Sequence, residues 1–542
     1  MNKSYNILNK FLFVQLGGKK SKKKWESLIH NGVYFPEPYI PHNIPLRYKD
    51  DNIKLSEEAE EYAMIYVKYL DTEYIKNKLF NKNFFHDWKK FIKNTPIQSL
   101  EDCDFTEYKQ QYTIMKEKKK ESKEELQKKK KEIEEKYKYV YVDNKKQEIS
   151  NFYVEPPGIF LGRGDNPLMG KIKRRLYPED FIINISKDAE IPSTLEQHSW
   201  GKVIHNREVE WIASWHDPVT SRIKYIWLSQ SSDFKANNDL KKFELARKLK
   251  KRIRRIIETN TQNLNSKDMR IKQLATALYF IDKLAIRVGN EKGEDESDTV
   301  GCMTLRLEHI VLNDNNLTLD FLGKDSVRYY NSIEVDDIVR DNVKLFMSGK
   351  DKYEQLFDLV DSSDINAYLQ TFMKNLTAKT FRTFRASSMF QKEIFKIYSK
   401  FEGQDQPPID TLIALYNAAN LKVAKYLNHQ KNVAKGHKGQ VDKINDMIQK
   451  EKNKLRNQKA RKKKSQSKIK KIKERIQILK NKKKMKEEMK NLSLGTSKQN
   501  YIDSRITIAF MKKYNIPVEK LFTTTLQKKF AWAFDIDENF KF

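Results

Sequence analysis

Residues 441–460 read VDKINDMIQKEKNKLRNQKA, and residues 468–479 read KIKKIKERIQIL. No glycine or proline occurs between Gln440 and Leu494. Val441, Ile444, Ile448 and Leu455 recur at heptad spacing. Ile469, Ile472, Ile476 and Leu479 do so again after the polar stretch Arg461 to Ser467. Two apolar stripes separated by a polar break predict an antiparallel helical hairpin with one thin seam. Residues 431–490 hold 24 Lys or Arg against 6 Asp or Glu, a net +18. So basic a run is also the composition of a disordered tail; the paired heptads favour the hairpin.

Outward from this arm, the chain has 542 residues and a net charge of +32. Such an excess points to a polyanionic partner, nucleic acid or an anionic membrane surface, and away from an ordinary metabolic enzyme. The length predicts two to four domains. The two cysteines, Cys103 and Cys302, exclude a disulfide scaffold and a cysteine-built zinc site, and fit a reducing compartment. No apolar run approaches the roughly 20 residues of a spanning helix, which predicts a soluble protein. Residues Met1 to Gly18 are acid-free, but the apolar piece Phe11 to Val14 is too short for a secretory signal. No arginine precedes Arg47, unlike a mitochondrial presequence. Lys19-Lys20-Ser21-Lys22-Lys23-Lys24 has the composition of a nuclear import patch, a weak signal in a basic protein.

Residues 25–110 are mixed in texture. Residues 116–138, KEKKKESKEELQKKKKEIEEKYK, mix both signs of charge and predict a solvated helix. Residues 151–230 carry glycines, prolines and β-rich pieces such as Val209 to Ile212 and Ile223 to Trp227, predicting a small α/β unit with antiparallel strands. From about 233 the pattern is helical, with stripes Phe243, Leu245, Ala246, Leu249 and Ala275, Leu278, Tyr279, Ile281, Leu284. Leu317 to Leu322 and Ser326 to Tyr330 flank Gly323-Lys324-Asp325, a β-hairpin with its lysine at the turn. The aromatic-rich segment 495–542 should be folded.

Gly164 to Gly170-Lys171 imitates a phosphate loop, but the glycine spacing is one too long and Ile172 stands where Ser or Thr should bind magnesium. The nine histidines show no metal-ligand pairing. Five segments remain: Arg287 ending an apolar helix, Lys324 at the hairpin turn, Arg382 in Lys379-Thr380-Phe381-Arg382, His429 in Tyr426-Leu427-Asn428-His429-Gln430, and Tyr501 in Gly495 to Asp503. Each has a bland reading when taken singly: a capping arginine, an edge lysine, a structural histidine, a core tyrosine.

Taken together, Arg287, Lys324, Arg382, His429 and Tyr501 resemble, in order, the catalytic set of the eukaryotic type IB DNA topoisomerases. The resemblance covers about 24–542 and includes His30 to Phe35, Asn81 to Trp88, Pro156 to Phe160, Gly162 to Gly164, Lys173 to Arg175, Ala277 to Leu284, Asp298 to Cys302 and Phe530 to Ala533. It implies a multidomain fold: an α+β cap lobe (25–232) that clamps DNA after a short basic N-terminal segment (1–24), a mainly α catalytic core (233–432), a basic antiparallel hairpin linker (433–490) and a C-terminal domain with the nucleophile (491–542). It implies relaxation of supercoiled double-stranded DNA through a 3′-phosphotyrosine, without ATP, metal or cofactor, by a nuclear monomer, mitochondrial location being the alternative. Arg163, Lys173, Asp325, Lys379 and Asn500 match DNA-contacting positions. Arg163, Asp325 and Asn500 also match positions where camptothecin-type inhibitors bind.

The residue types suit that chemistry. Guanidiniums Arg287 and Arg382 match the oxygens of a five-coordinate phosphorus. His429 adds a donor. Lys324 would protonate the departing 5′ oxygen, help typically worth about 10²–10⁴-fold. A tyrosine with its usual pKa of about 10 is a poor nucleophile at neutral pH, so Tyr501 needs positive charge nearby. The chain departs from the family pattern at Leu161 (usually arginine), at Ala418 to Leu421 (two arginines missing), at Gln499 (usually leucine) and at Ser504 (usually proline). The alternatives are a tyrosine site-specific recombinase, which shares the same residue logic, and a non-catalytic chromatin protein.

Overall fold

The computed structural model describes residues 23–542 except 294, 295, 315, 432, 434, 435 and 461–464, and of 119–121 and 123 it describes only the backbone. The N-terminal expectations for residues 1–22, including most of the lysine cluster, and the centre of the hairpin's polar break lie outside the described residues. The chain is mixed α/β and divides into two compact units. Of the described residues, the first holds 23–235 with Lys292–Asp298; the second holds Ala236–Glu291 and Thr299–Phe542. Among the described residues no helix is long and apolar enough to cross a membrane.

In the first unit, β1 (Leu28–His30) pairs antiparallel with β2 (Tyr139–Val142), which pairs with β3 (Lys145–Glu148). A second sheet has the order β5-β4-β6-β7, from β4 (Phe181–Asn184), β5 (Lys202–Ile204), β6 (Trp211–His216) and β7 (Ile223–Trp227). The sequence predicted antiparallel strands here, but β4 and β5 run parallel, because the chain between them crosses over through 185–201 instead of turning back. Helices α1 (Glu57–Val67) and α2 (Lys78–Trp88) bury Tyr62, Tyr66, Phe80, Phe84 and Trp88 in an aromatic core. The charge run folds as two helices, α3 (Thr106–Glu121) and α4 (Lys123–Tyr137), parted at Ser122, whose ψ of 24° leaves the helical range. Among the described side chains of the run the charged ones are mostly exposed, as its mixed charges predict, while Ile133 and Tyr137 pack on a buried core.

The main apolar cluster of the second unit runs from Ala246 to Phe542 in sequence. It is built from α5 (Asp233–Leu264), α6 (Met269–Leu284), α7 (Asp337–Met347), α8 (Ser362–Phe372), α9 (Ala378–Lys400) and α10 (Ile409–Tyr426), with β8 (Ile310–Leu312), β9 (Asn316–Gly323) and β10 (Val327–Glu334). The stripes on α5 and α6 are buried, Leu245 only partly. Asp268 caps α6 by accepting from the N–H groups of Arg270 and Ile271. Gly323 pairs with Val327, so Ser326 belongs to the turn rather than to the strand; its φ of 56° and that of Asp325, 67°, close a three-residue loop.

Helices α11 (His437–Ala460) and α12 (Gln466–Glu488) pair antiparallel, with Glu451 facing Arg475. The seam is thin. Ile444, Ile448, Ile469, Ile476 and Leu479 are buried, while Val441, Leu455 and Ile472 are half-covered. Its far end rejoins the core where Lys431 N–H donates to Asn491 O (2.8 Å) and Ser493 N–H to His429 O (2.7 Å). Then α13 (Leu494–Asn500) and α14 (Ser504–Lys513) follow, and Phe510, Tyr514 and Phe530 are buried.

Candidate active site

Five chain segments of the second unit meet around one cavity of about 120 Å³, whose lining includes Arg287, Lys324, Asp325, Arg382, His429 and Thr496. Each is held there by local structure. Helix α6 stops at Ala285, whose φ of 49° turns the chain, and Arg287 follows two residues later. The Arg287 loop is pinned because Cys302 N–H donates to Arg287 O (2.8 Å) and Met303 N–H to Val288 O (2.7 Å). Gly289 and Gly301 lie back to back there. A Cβ on Gly301 would meet Gly289 Cα at 2.5 Å, so this loop needs glycine on both sides.

Arg382 lies in the second turn of α9 and is 4% exposed. Its guanidinium donates to Ala285 O, from the Arg287 segment, and to Leu427 O (3.2 Å), two residues before His429. One side chain thus ties three of the predicted segments together. His429 follows α10, and its neighbours Asn428 and Gln430 both donate to Arg328 O on the lysine-bearing hairpin (3.2 and 3.3 Å). Lys324 and Asp325 are exposed at the hairpin turn, and among the described residues no carboxylate pairs with Lys324.

Tyr501 caps the C-terminal end of α13. Its backbone is fixed by Ser387 on α9, whose hydroxyl donates to Tyr501 O (3.0 Å) and accepts from Asp503 N–H (3.0 Å). Arg287 Nη1 donates to the phenol oxygen (3.1 Å), the Arg382 guanidinium lies 5.1 Å from the ring centre, and the His429 ring is 5.0 Å away. Tyr501 is 4% exposed and does not line the cavity itself; it lies beside the arginines and the histidine that do.

The electrostatics follow from this packing. Burial alone would raise the Tyr501 phenol, but the positive fields of Arg382, Arg287 and Lys379 outweigh it and hold the phenol below its ordinary value. Lys379 is exposed in the first turn of α9. Burial, reinforced by Arg382 and Arg287, pushes the His429 imidazole down to about 3, so the ring is neutral at physiological pH. Two buried nitrogens beside the tyrosine, Arg382 Nε and His429 Nε2, have no hydrogen-bond partner among the described residues. Leaving a buried polar atom unpaired costs about 1–3 kcal/mol.

The remaining sequence-predicted positions are more scattered. Asn500 is half-buried at the end of α13, donating to Thr496 O (3.3 Å). Arg163 and Lys173 belong to the first unit. Arg163 is exposed, and its carbonyl accepts from Ser297 (2.7 Å). Lys173 is ion-paired with Glu155 (2.6 Å), which also holds Lys224 (3.1 Å). Leu161, where the family usually has arginine, packs on the aromatic core of that unit. Ser504 is the first residue of α14 after the capping Asp503, a position where proline and serine are both accommodated. Ser387 and Ser497 were not singled out in the sequence. A serine inside an apolar helix carries no periodic signal, and only its partner across the fold reveals it.

Comparison with known proteins covers nearly the whole chain. Residues 23–228 match the family description eukaryotic DNA topoisomerase I, DNA binding fragment. Residues 231–461 match its catalytic core, and residues 473–542 match a C-terminal topoisomerase domain. DNA topoisomerase 1 of Caenorhabditis elegans is 41% identical over 97% of this chain, which spans 69% of that protein. DNA topoisomerase 1 of Homo sapiens is 41% identical over 96% of the chain, spanning 72% of that protein. DNA topoisomerase 1 beta of Arabidopsis thaliana is 40% identical over 96% of the chain, spanning 60% of that protein.

Proposed function

Because the chain belongs to the eukaryotic DNA topoisomerase I family, we propose that it relaxes supercoiled duplex DNA as a type IB isomerase, cutting and resealing one strand. The observation that carries this reading is the pair of unpartnered buried nitrogens, Arg382 Nε and His429 Nε2, beside a phenol lowered by two arginines.

In the proposed cleavage step, a DNA phosphate enters the cavity and takes donors from Arg287, Arg382 and His429. Arg287 then exchanges its contact with the phenol for one with a nonbridging oxygen, freeing Tyr501 Oη to attack phosphorus. The phenolic proton leaves to water. As the Tyr501–phosphorus bond forms, the bond to the 5′ oxygen breaks, and Lys324 gives that oxygen its proton. The products are a 3′-phosphotyrosine and a 5′-hydroxyl. One phosphate ester replaces another, so resealing is the same exchange in reverse and needs no ATP. The fixed guanidiniums supply charge where it develops in the transition state. Lys379, Asp325 and Asn500 serve as DNA contacts near this step. Arg163 and Lys173 serve as backbone contacts from the first unit, Lys173 exchanging Glu155 for phosphate. The basic pair α11–α12 follows the duplex and slows its rotation.

The test is plasmid relaxation in EDTA without ATP, comparing the wild type with Tyr501→Phe. The wild type relaxes the plasmid and traps a covalent protein–DNA adduct on denaturation, and the variant does neither. Activity in the variant removes Tyr501 as nucleophile. Activity only at a specific sequence, through an oligomer, points to a recombinase instead.

A further inference from the structure

The His429 ring has two nitrogens in very different surroundings. Nε2 is buried without a partner beside the cavity, whereas Nδ1 lies 2.7 Å from Ser497 Oγ. Ser497 is fully buried on α13, and its hydroxyl pairs with this nitrogen. Serines inside helices commonly bond back to the preceding turn; this one reaches across to another segment. The same residue's carbonyl accepts from the backbone N–H groups of Tyr501 (2.9 Å) and Ile502 (3.0 Å). The histidine's backbone is equally fixed, its N–H donating to Ala424 O (2.9 Å) and its C=O accepting from Ser493 (2.7 Å).

We propose that Ser497 is a positioning residue: its hydroxyl donates to His429 Nδ1 and so keeps the ring proton on Nε2, facing the phosphate. This rests on the cleavage reading above and extends it to the group that orients the histidine. The logic is one of donors and acceptors. A nonbridging phosphate oxygen only accepts, so the nitrogen facing it must carry hydrogen. A neutral imidazole has one N–H, so Nδ1 is then a lone pair and needs a donor, which the serine hydroxyl provides. Burial and the two arginines disfavour a second proton on the ring, so the tautomer decides whether Nε2 is useful. Were the proton on Nδ1, Nε2 would turn its lone pair toward the anion. Because α13 also ends in the nucleophile, Ser497 fixes the tyrosine's backbone and the histidine's proton through one residue.

The proposal is tested on the full-length chain in two ways. Single-turnover adduct formation on a nicked suicide duplex is measured for wild type, Ser497→Ala, His429→Ala and the double variant. Losing one neutral hydrogen bond slows the wild-type background by about five- to tenfold. With His429 gone, the serine change costs less than about twofold, because its target is absent. Equal slowing in both backgrounds means a structural serine and overturns the proposal, as does no slowing at all. Separately, nitrogen NMR on histidine-labelled protein without DNA should show Nε2 protonated and Nδ1 unprotonated for His429, with Ser497→Ala giving a mixture. A protonated Nδ1 in the wild type overturns it. If the wild type forms no adduct, or Tyr501→Phe does, the cleavage reading fails instead, while the NMR result still judges the serine–histidine contact.

Discussion

Residues 431–490 carry a net +18, and the lysines and arginines of α11 and α12 mostly stand in water. Around Tyr501, by contrast, two arginines and one lysine are enough to lower a phenol against the effect of its own burial. The contrast lies in the dielectric. An exposed charge is screened within about 8–10 Å at ordinary salt, so a basic arm acts as a diffuse field along a polyanion. A guanidinium that is 4% exposed and held by two carbonyls acts on one atom, and water screens it little. Charge count therefore marks a diffuse basic surface, and burial marks the atom on which a single charge acts.

The sharpest way to break this comparison is Arg382→Lys, which keeps the charge and removes the planar fork. Its relaxation rate should fall by about 10²–10³-fold, as when a preorganised donor is lost from a reacting centre. Optical titration of Tyr501 should move back up toward the ordinary tyrosine value. An unchanged rate would mean that charge alone suffices and fixed geometry does not.

Next in size is acid stability. His429 is held at about 3, far below its ordinary 6.5, because burial and the arginines oppose its proton. As pH falls below 6.5 the unfolded chain binds a proton that the folded chain refuses, so stability is lost between 6.5 and about 3. The slope is at most about 1.4 kcal/mol per pH unit. Urea unfolding of His429→Gln should show a shallower acid decline than wild type over that window; an identical slope would break the assignment. His30, buried in the first unit and pushed down to about 4, adds its own decline there, so His30→Gln beside His429→Gln separates the units' responses.

The smallest expected effect concerns the arm. Replacing exposed hairpin residues Lys470, Lys473 and Lys480 with Gln should weaken DNA affinity and reduce its salt dependence by up to about three charges' worth. Single-turnover cleavage at saturating DNA should change less than about twofold, since exposed charges contribute little to a buried reacting centre. In a single-molecule relaxation assay, shortening α11 and α12 with their ends kept should change the speed of rotation. A large cleavage defect in the lysine variant would show that the arm reaches the chemistry.

Much of this molecule was legible before its structure. The heptads announced the α11–α12 seam because a helix pair needs a repeat and nothing else. The turn at Lys324 was announced by two alternating strands, though Ser326 was placed one step wrong because left-handed serines are uncommon. The break at Ser122 in the charge run left no signal, since neither glycine nor proline marks it. Leu161 and Ser504, which looked like departures, have local explanations in packing and in helix-start geometry. Ser387 and Ser497 had no signal, because what matters about each is a partner far away in sequence.

The sequence by itself determined the charge distribution, the amphipathic hairpin, the order of the chemistry-bearing residues and, through its blocks, the family. Those properties are local or additive along the chain. Only the tertiary structure decided that Arg382 would be desolvated between Ala285 and Leu427, that Tyr501 would be lowered rather than raised, that His429 would be neutral, and that Lys173 would face Glu155. Each of these depends on distance and on the exclusion of water, and neither quantity is written in the spacing of residues along a chain.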